Sequence, residues 1–116
     1  MKLVFSALEL VAKQCAVLDN TQGNAYTATD IEAQLIALPG WKERDGFIER
    51  KFQFKNYFET IAFVNCLAWM IHAQDHHPEL HTTYNRCLVR FNTHSVDGIS
   101  LNDFICAARA DALFEQ

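Results

Sequence analysis

Residues 41–54 read WKERDGFIERKFQF and predict a β-hairpin. Asp45-Gly46 is a strong signal for a two-residue hairpin turn. A short strand, Trp41–Arg44, precedes this turn, and a return strand alternates from about Phe47 to Phe54. One face of the return strand carries Ile48, Phe52 and Phe54, and the other carries Glu49, Lys51 and Gln53. The hairpin therefore predicts an antiparallel sheet with one buried face.

Helices are predicted on both sides of this hairpin. Thr29–Glu32 has the pattern of a capping box, and the helix it starts continues to Leu38 and ends at Pro39-Gly40. Asn56–Glu59 is a similar start for a helix that runs to about Gln74. That helix is apolar over more than one stripe, which favours a second buried face such as a subunit contact.

The second half of the chain predicts the rest of the sheet and a last helix. Asp75–Leu80 is a loop or strand entry, Tyr84–Asn92 alternates as a strand, and Thr93–Gly98 holds a turn. Ser100–Asp103 is a further capping box. The order is helix, strand, strand, helix, strand, a short strand and helix. We therefore predict an α+β fold, in which helices pack on one face of a four-stranded antiparallel sheet.

Composition limits the class of protein. The chain has 116 residues, half of them hydrophobic, which fits one domain with a real core. We expect an N-terminal arm of uncertain structure at residues 1–26 and a folded domain at residues 27–116. The net charge is −4 and no Lys/Arg run occurs, so direct partners among nucleic acids and membranes are not expected. No apolar run reaches the ~18 residues of a membrane span.

The four cysteines lie far apart in the sequence and form no C-x-x-C pair. Three of them, Cys66, Cys87 and Cys106, lie among apolar neighbours in predicted helices or strands. This pattern favours free, reduced thiols in a cytoplasmic protein over a disulfide framework or a zinc ribbon.

Histidines supply the candidate chemistry. His76-His77-Pro78 follows the long helix, and His94 follows the next predicted strand, so one sheet end can hold all three. Acid/base catalysis is one interpretation, because imidazole can give and take a proton near neutral pH. A three-histidine metal site is a second, although adjacent histidines rarely bind one ion. Exposed loop histidines without a role are the third, and spacing alone leaves all three open.

Other polar and aromatic residues have two interpretations each. Asp103 could orient a histidine or bind a ligand, but its place after the Ser100 cap also explains it. Trp41 could stack on a flat ligand or fill the core, and Tyr84 could close a pocket or pack on the sheet. Thr93 and Ser95 are turn residues that could also hydrogen-bond a polar heterocycle.

The segment His72–Pro78, HAQDHHP, followed by Tyr84, His94 and Asp103, closely resembles the signature of the pterin-4a-carbinolamine dehydratases. The resemblance covers about residues 28–114 and extends to Gly40-Trp41, Phe52–Phe54, Tyr84-Asn85, Thr93-His94 and Gly98–Asp103. It implies dehydration of a 4a-hydroxytetrahydropterin to a quinonoid dihydropterin in tetrahydrobiopterin recycling, without a metal or other cofactor.

The resemblance also assigns site residues. It implies that His76, His77 and His94 are catalytic and contact the pterin, with further contacts from Pro78 and from the turn of Thr93, Ser95 and Val96. Asp103 is expected to support the site. His72 is expected to be a second supporting residue. It stands where many relatives carry a carboxylate, so we expect its imidazole to alter the pH profile of the reaction.

Partners follow from the same resemblance. It implies a homodimer or homotetramer, which agrees with the surplus of apolar residues on the long helix. Two other functions are kept as alternatives: a protein-binding module of the transcription-factor dimerisation type, and a pterin-binding role in another pathway. The complete set of three histidines favours an active enzyme over both.

Overall fold

The predicted hairpin is present in the computed structural model, which describes residues 2–19 and 23–115. Strands β1 (Lys42–Arg44) and β2 (Phe47–Gln53) pair antiparallel, with Arg44 opposite Phe47. Asp45 and Gly46 both have positive φ, 53° and 82°, as a two-residue turn between twisted strands requires. The Asp-Gly signal therefore fixes the register of the first strand pair.

A second antiparallel pair completes the predicted four-stranded sheet. Strand β3 (Glu79–Thr82) pairs with β4 (Arg86–Phe91), and β4 pairs with β2, which gives the order β1-β2-β4-β3. The short strand that was expected after residues 84–92 in fact precedes them, as β3. Residues 94–96 instead form a 3-10 turn, closed by a bridge between Thr93 and Gly98.

Among the described residues, four α-helices accompany the sheet: α1 (Ala7–Val11), α2 (Ala28–Leu35), α3 (Tyr57–Gln74) and α4 (Leu101–Phe114). The predicted starts of α3 at Asn56 and of α4 at Ser100 are confirmed. The start predicted for α2 is wrong by two residues, because its capping box joins Thr27 to Asp30. This helix also ends at Leu35, before Leu38, which is nevertheless buried.

The core lies between one face of the sheet and helices α3 and α4. Phe52 from β2 and Phe91 from β4 are fully buried, and Leu67 of α3 and Phe104 of α4 cover them from the helical layer. The expected packing of helices on one face is thereby present. Helix α4 is buried along nearly its whole first half, so residues at its start are held rigidly.

The N-terminal residues also pack on this layer. Helix α1 contacts α4 and places Leu10 in the core. An extended segment, Lys13–Ala16, then crosses the end of α3 and the start of α4. Within residues 2–19 and 23–115, no helix is long and apolar enough to cross a membrane.

Candidate active site

The end of helix α3 determines where His76 lies. Asp75 adopts a left-handed conformation with φ 51°, and its amide and that of His76 hydrogen-bond to carbonyls of the last turn. Such a C-cap turns the chain sharply, and Pro78 then prevents the helix from resuming. His76 is thereby directed back towards the start of α4.

His76 makes a short hydrogen bond with Asp103. The Nε2–H group of His76 donates to Asp103 Oδ1 at 2.6 Å, while Asp103 is completely buried and only 11% of the His76 side chain is exposed. The ring of His76 also stacks on Phe91, with centroids 5.9 Å apart and planes 10° from parallel. A buried carboxylate and an aromatic face therefore fix both the position and the orientation of this imidazole.

The second carboxylate oxygen of Asp103 is used as well. Asp103 Oδ2 accepts from the Thr93 hydroxyl at 2.8 Å and from the Ser100 amide at 2.9 Å. A carboxylate only accepts hydrogen bonds, so the Thr93 hydroxyl must donate its proton to Asp103. The Ser100 hydroxyl, 2.6 Å from that of Thr93, must therefore donate to Thr93. The two interpretations of Asp103 are thus both present, because one oxygen caps α4 and the other holds a histidine.

Electrostatics favour the charged form of His76. Burial alone would lower the pKa of His76, but the hydrogen bond and the negative charge of Asp103 raise it above its ordinary value, with smaller contributions from Cys15 and Asp75. Within the described residues, Nδ1 of the ring makes no hydrogen bond. This imidazolium can therefore offer a proton from Nδ1 while Nε2 remains bound to Asp103.

His77 and His94 have a different environment. Both side chains are exposed, and neither hydrogen-bonds to a side chain in the described ranges. His94 directly follows Thr93, so the hydrogen bonds through Asp103 connect its backbone to the His76 ring. The structure thus joins the two predicted histidine segments through Thr93 and Asp103 rather than through direct contacts between histidines.

The remaining predicted site residues divide by exposure. Ser95 is exposed and Pro78 is half-buried, whereas Val96 is buried beneath the 3-10 turn. His72 is exposed on the last turn of α3. It lies four residues before His76, but the left-handed Asp75 ends the helix between them, so the two side chains do not share a helix face. No group of three or more His, Cys, Asp or Glu side chains suited to a metal ion occurs in the part of the chain that is described.

The aromatic candidates have structural surroundings. Trp41 is buried in the core, and its Nε1–H donates to Asp111 at 2.9 Å. The Arg50 guanidinium binds the same Asp111 oxygen and lies so close to Gly40 that a Cβ there would approach it to 2.9 Å. Tyr84 is exposed and stacks on Tyr57. The core interpretation therefore applies to Trp41, whereas Tyr84 packs on another tyrosine at the surface.

Two contributors to the site were not predicted from sequence as site residues. The sequence predicts Ser100 only as a helix cap, whereas its hydroxyl also orients Thr93. It predicts Phe91 only on the buried face of its strand, and the stacking of Phe91 on His76 depends on how the strand meets the end of α3. The capping pattern and the strand alternation were the only signals, and neither pattern identifies a contact to a histidine.

Comparison with known proteins gives a consistent result. The sequence profile of the family described as pterin 4 alpha carbinolamine dehydratase matches residues 24–113. A protein of Bdellovibrio bacteriovorus is 48% identical over 114 residues, which covers 95% of this chain and 92% of that protein. One of Nitrosospira multiformis is 41% identical over 107 residues, covering 92% and 94%. Both bear the provisional name pterin-4-alpha-carbinolamine dehydratase.

A solved structure extends the comparison to the fold. The crystal structure of a transcriptional coactivator/pterin dehydratase from Brucella melitensis superposes with a TM-score of 0.75. It is 34% identical in sequence, and the match covers 78% of this chain and 98% of that one. The α+β architecture derived above is therefore shared with a protein of that description.

Proposed function

This chain belongs to the pterin 4 alpha carbinolamine dehydratase family, and we propose that it dehydrates a 4a-hydroxytetrahydropterin. In this reaction the C4a–O bond breaks, and the hydroxyl leaves as water after receiving a proton from an acid. A base removes the proton from the adjacent ring nitrogen, and a carbon–nitrogen double bond forms to give the quinonoid dihydropterin. The substrate is neither oxidised nor reduced, so proton transfer is the only chemistry that the protein must supply.

The hydrogen bond between His76 and Asp103 is the observation that carries this proposal. A histidine whose pKa is raised by a buried carboxylate can remain an imidazolium close to neutral pH and act as an acid. His77 and His94, whose rings are exposed and free of hydrogen bonds to described residues, are the candidates for the base and for binding the pterin. Asp103 is a positioning residue in this scheme, because it acts through His76.

The expected pterin contacts can be refined by burial. Thr93 Oγ1 is occupied by Asp103 and Ser100, and the Val96 side chain is buried, so contacts from either residue to a pterin would be made by backbone groups. The Ser95 hydroxyl and the His94 ring are exposed and can bind through side chains. We assign this reaction to tetrahydrobiopterin recycling in the cytoplasm, without a metal or other cofactor.

Turnover of enzymatically generated 4a-hydroxytetrahydropterin tests the proposal, with quinonoid product followed by its absorbance. We expect the His76→Ala, His77→Ala and His94→Ala variants each to lose about 10²–10⁴-fold of the catalysed rate, as general acid/base groups do. His81→Ala is the matched control, because His81 is an exposed histidine on β3. A wild-type rate no greater than the uncatalysed rate would exclude the dehydratase and favour a pterin-binding or protein-binding role.

We further propose that the protein forms a homodimer or homotetramer through α3. Its inward side buries Phe63 and Leu67, yet Phe58 and Trp69 are 84% and 77% exposed on the same helix. A groove of about 630 Å³ adjoins this helix and is lined by apolar side chains that include Phe54 and Phe114. A second copy of the helix would cover apolar surface that a single chain leaves in water.

A further inference from the structure

Two cysteine thiols meet beside the candidate site. Sγ of Cys15 lies 3.5 Å from Sγ of Cys106, although the residues are 91 positions apart in the chain. Cys106 is fully buried in the second turn of α4, whereas Cys15 lies half-buried in an extended segment and can be reached from solvent. The matched family region begins at residue 24, so Cys15 is outside it.

Three polar side chains keep the backbone around Cys15 in place. The Cys15 amide donates to Gln74 Oε1 at 2.8 Å. Asn102 binds Ala16 twice, accepting from its amide at 3.0 Å and donating to its carbonyl at 2.7 Å. Arg109 donates to the carbonyl of Lys13 at 2.7 Å. The two thiols are therefore held together by contacts on both sides of Cys15 rather than by a chance approach of a loose arm.

The two thiols differ in acidity and access. A hydrogen bond from Cys106 lowers the pKa of the Cys15 thiol, burial opposes this effect, and the nearby His76 charge supports it. The same pairing and burial raise the pKa of Cys106. Cys15 is thus the more nucleophilic sulfur, and Cys106 retains its proton. A half-buried thiol of lowered pKa next to a second thiol is the arrangement found in peroxide-sensitive pairs.

We propose that Cys15 and Cys106 form a thiol pair that hydrogen peroxide oxidises to an intramolecular disulfide. The Cys15 thiolate attacks one peroxide oxygen, the O–O bond breaks, and hydroxide leaves, so that Cys15 becomes a sulfenic acid. The Cys106 sulfur then attacks the Cys15 sulfur, the S–O bond breaks, and water leaves. Overall, two thiols and one peroxide give one disulfide and two waters.

The geometric change needed is small. A disulfide bond is about 2.05 Å long, so the two sulfurs must approach each other by roughly 1.5 Å. Cys15 lies in a non-helical segment, which can supply this shift more easily than the packed helix α4. The bond would attach the N-terminal segment covalently to the helical turn that follows Asp103.

Thiol counting and peptide mapping test the proposal in the intact protein. We expect peroxide to remove two of the four thiols, to reduce the mass by two hydrogen atoms, and to link the peptide of Cys15 to that of Cys106. A dithiol reductant should restore all four thiols. The experiment is repeated in a Cys66→Ser background, which retains three thiols and prevents bonds between molecules through the exposed Cys66, and two of the three should be lost there.

Variants provide the controls. The linked peptide should be absent from Cys15→Ser and Cys106→Ser and present in Cys87→Ser, which removes a buried thiol elsewhere in the core. Four thiols surviving peroxide, a link through Cys87, or a singly oxidised Cys15 without a link would each overturn the proposal. The mapping on protein with Cys15 and Cys106 intact decides the question even where a serine variant fails to fold.

Discussion

His76 and Asp103 lie 27 residues apart in the chain and 2.6 Å apart in the fold, and each depends on a different helix end. The left-handed Asp75 that ends α3 directs the histidine, and the capping box that begins α4 holds the carboxylate. The C-cap of one helix and the N-cap of another thereby create one hydrogen-bonded pair of side chains. Substitutions at these two helix ends can therefore disturb the candidate site while the helices themselves remain folded.

Replacing Asp103 by asparagine tests its influence on the acid. Asp103→Asn keeps the size of the side chain but removes the charge that raises the pKa of His76. We expect the rate to fall on the alkaline side, where a His76 of lower pKa is less protonated, by at most the ~10²–10⁴-fold that a general acid contributes. The ratio of variant to wild-type rates should decline as pH rises.

Asp97→Asn is the control for this change, because Asp97 is an exposed carboxylate near the same turn. The measurement is the pH profile of kcat/KM for both variants. A uniform loss of rate at every pH would show that Asp103 acts only as a helix cap.

The same pair predicts how stability depends on pH. The folded-state pKa of His76 lies above its unfolded value of about 6.5. The contribution of protonated His76 to the free energy of unfolding is therefore complete below about pH 6.5 and is lost as pH rises through the folded pKa. We expect the stability difference between wild type and His76→Asn to be largest below about pH 6.5 and to shrink above it.

Urea unfolding at a series of pH values measures this difference. His81→Asn provides the subtraction control, because His81 is exposed on β3 and lies outside the candidate site. A stability difference that grows with pH would mean that the folded state favours the neutral form of His76.

Much of the fold could be predicted because its signals are local. The Asp45-Gly46 turn and the alternation after it specify the hairpin, and a polar cap marks the starts of α3 and α4. The start of α2 was misplaced because two threonines, Thr27 and Thr29, are each followed three residues later by an acid. Only the packed chain distinguishes two such equivalent boxes.

The candidate site was less predictable, since its contacts join distant segments. The sequence identified His76 and Asp103 separately, and only tertiary packing pairs them and aligns Phe91 with the ring. No sequence pattern predicts that the Lys13–Ala16 segment packs on the helices. Gln74, Asn102 and Arg109 bind its backbone groups, which every residue type possesses, so composition cannot reveal the contact.

We predict that the Asn102 side chain contributes most to holding the Lys13–Ala16 segment on the fold. Asn102→Ala removes two hydrogen bonds to Ala16, and the resulting loss should destabilise the fold by about 1–3 kcal/mol. Amide exchange at residues 13–16 should accelerate more than exchange in β2 or β4. Glu32→Ala, at an exposed position of α2, is the control. Equal acceleration throughout the chain would contradict a local fastening.

Self-association through α3 can be tested by placing a charge on its exposed side. Trp69→Glu puts a carboxylate where 77% of a large aromatic side chain now faces water in the single chain. We expect wild-type protein to sediment as a dimer or tetramer and the variant to sediment as a monomer, because burying an unpaired charge opposes association. Ile36→Glu is the matched control, since Ile36 is an apolar side chain of similar exposure, 80%, at the C-cap of a different helix, α2. If the control dissociates and Trp69→Glu does not, the contact between copies involves α2 rather than α3. A monomeric wild type would instead leave the exposed aromatic side chains of α3 to a different protein partner.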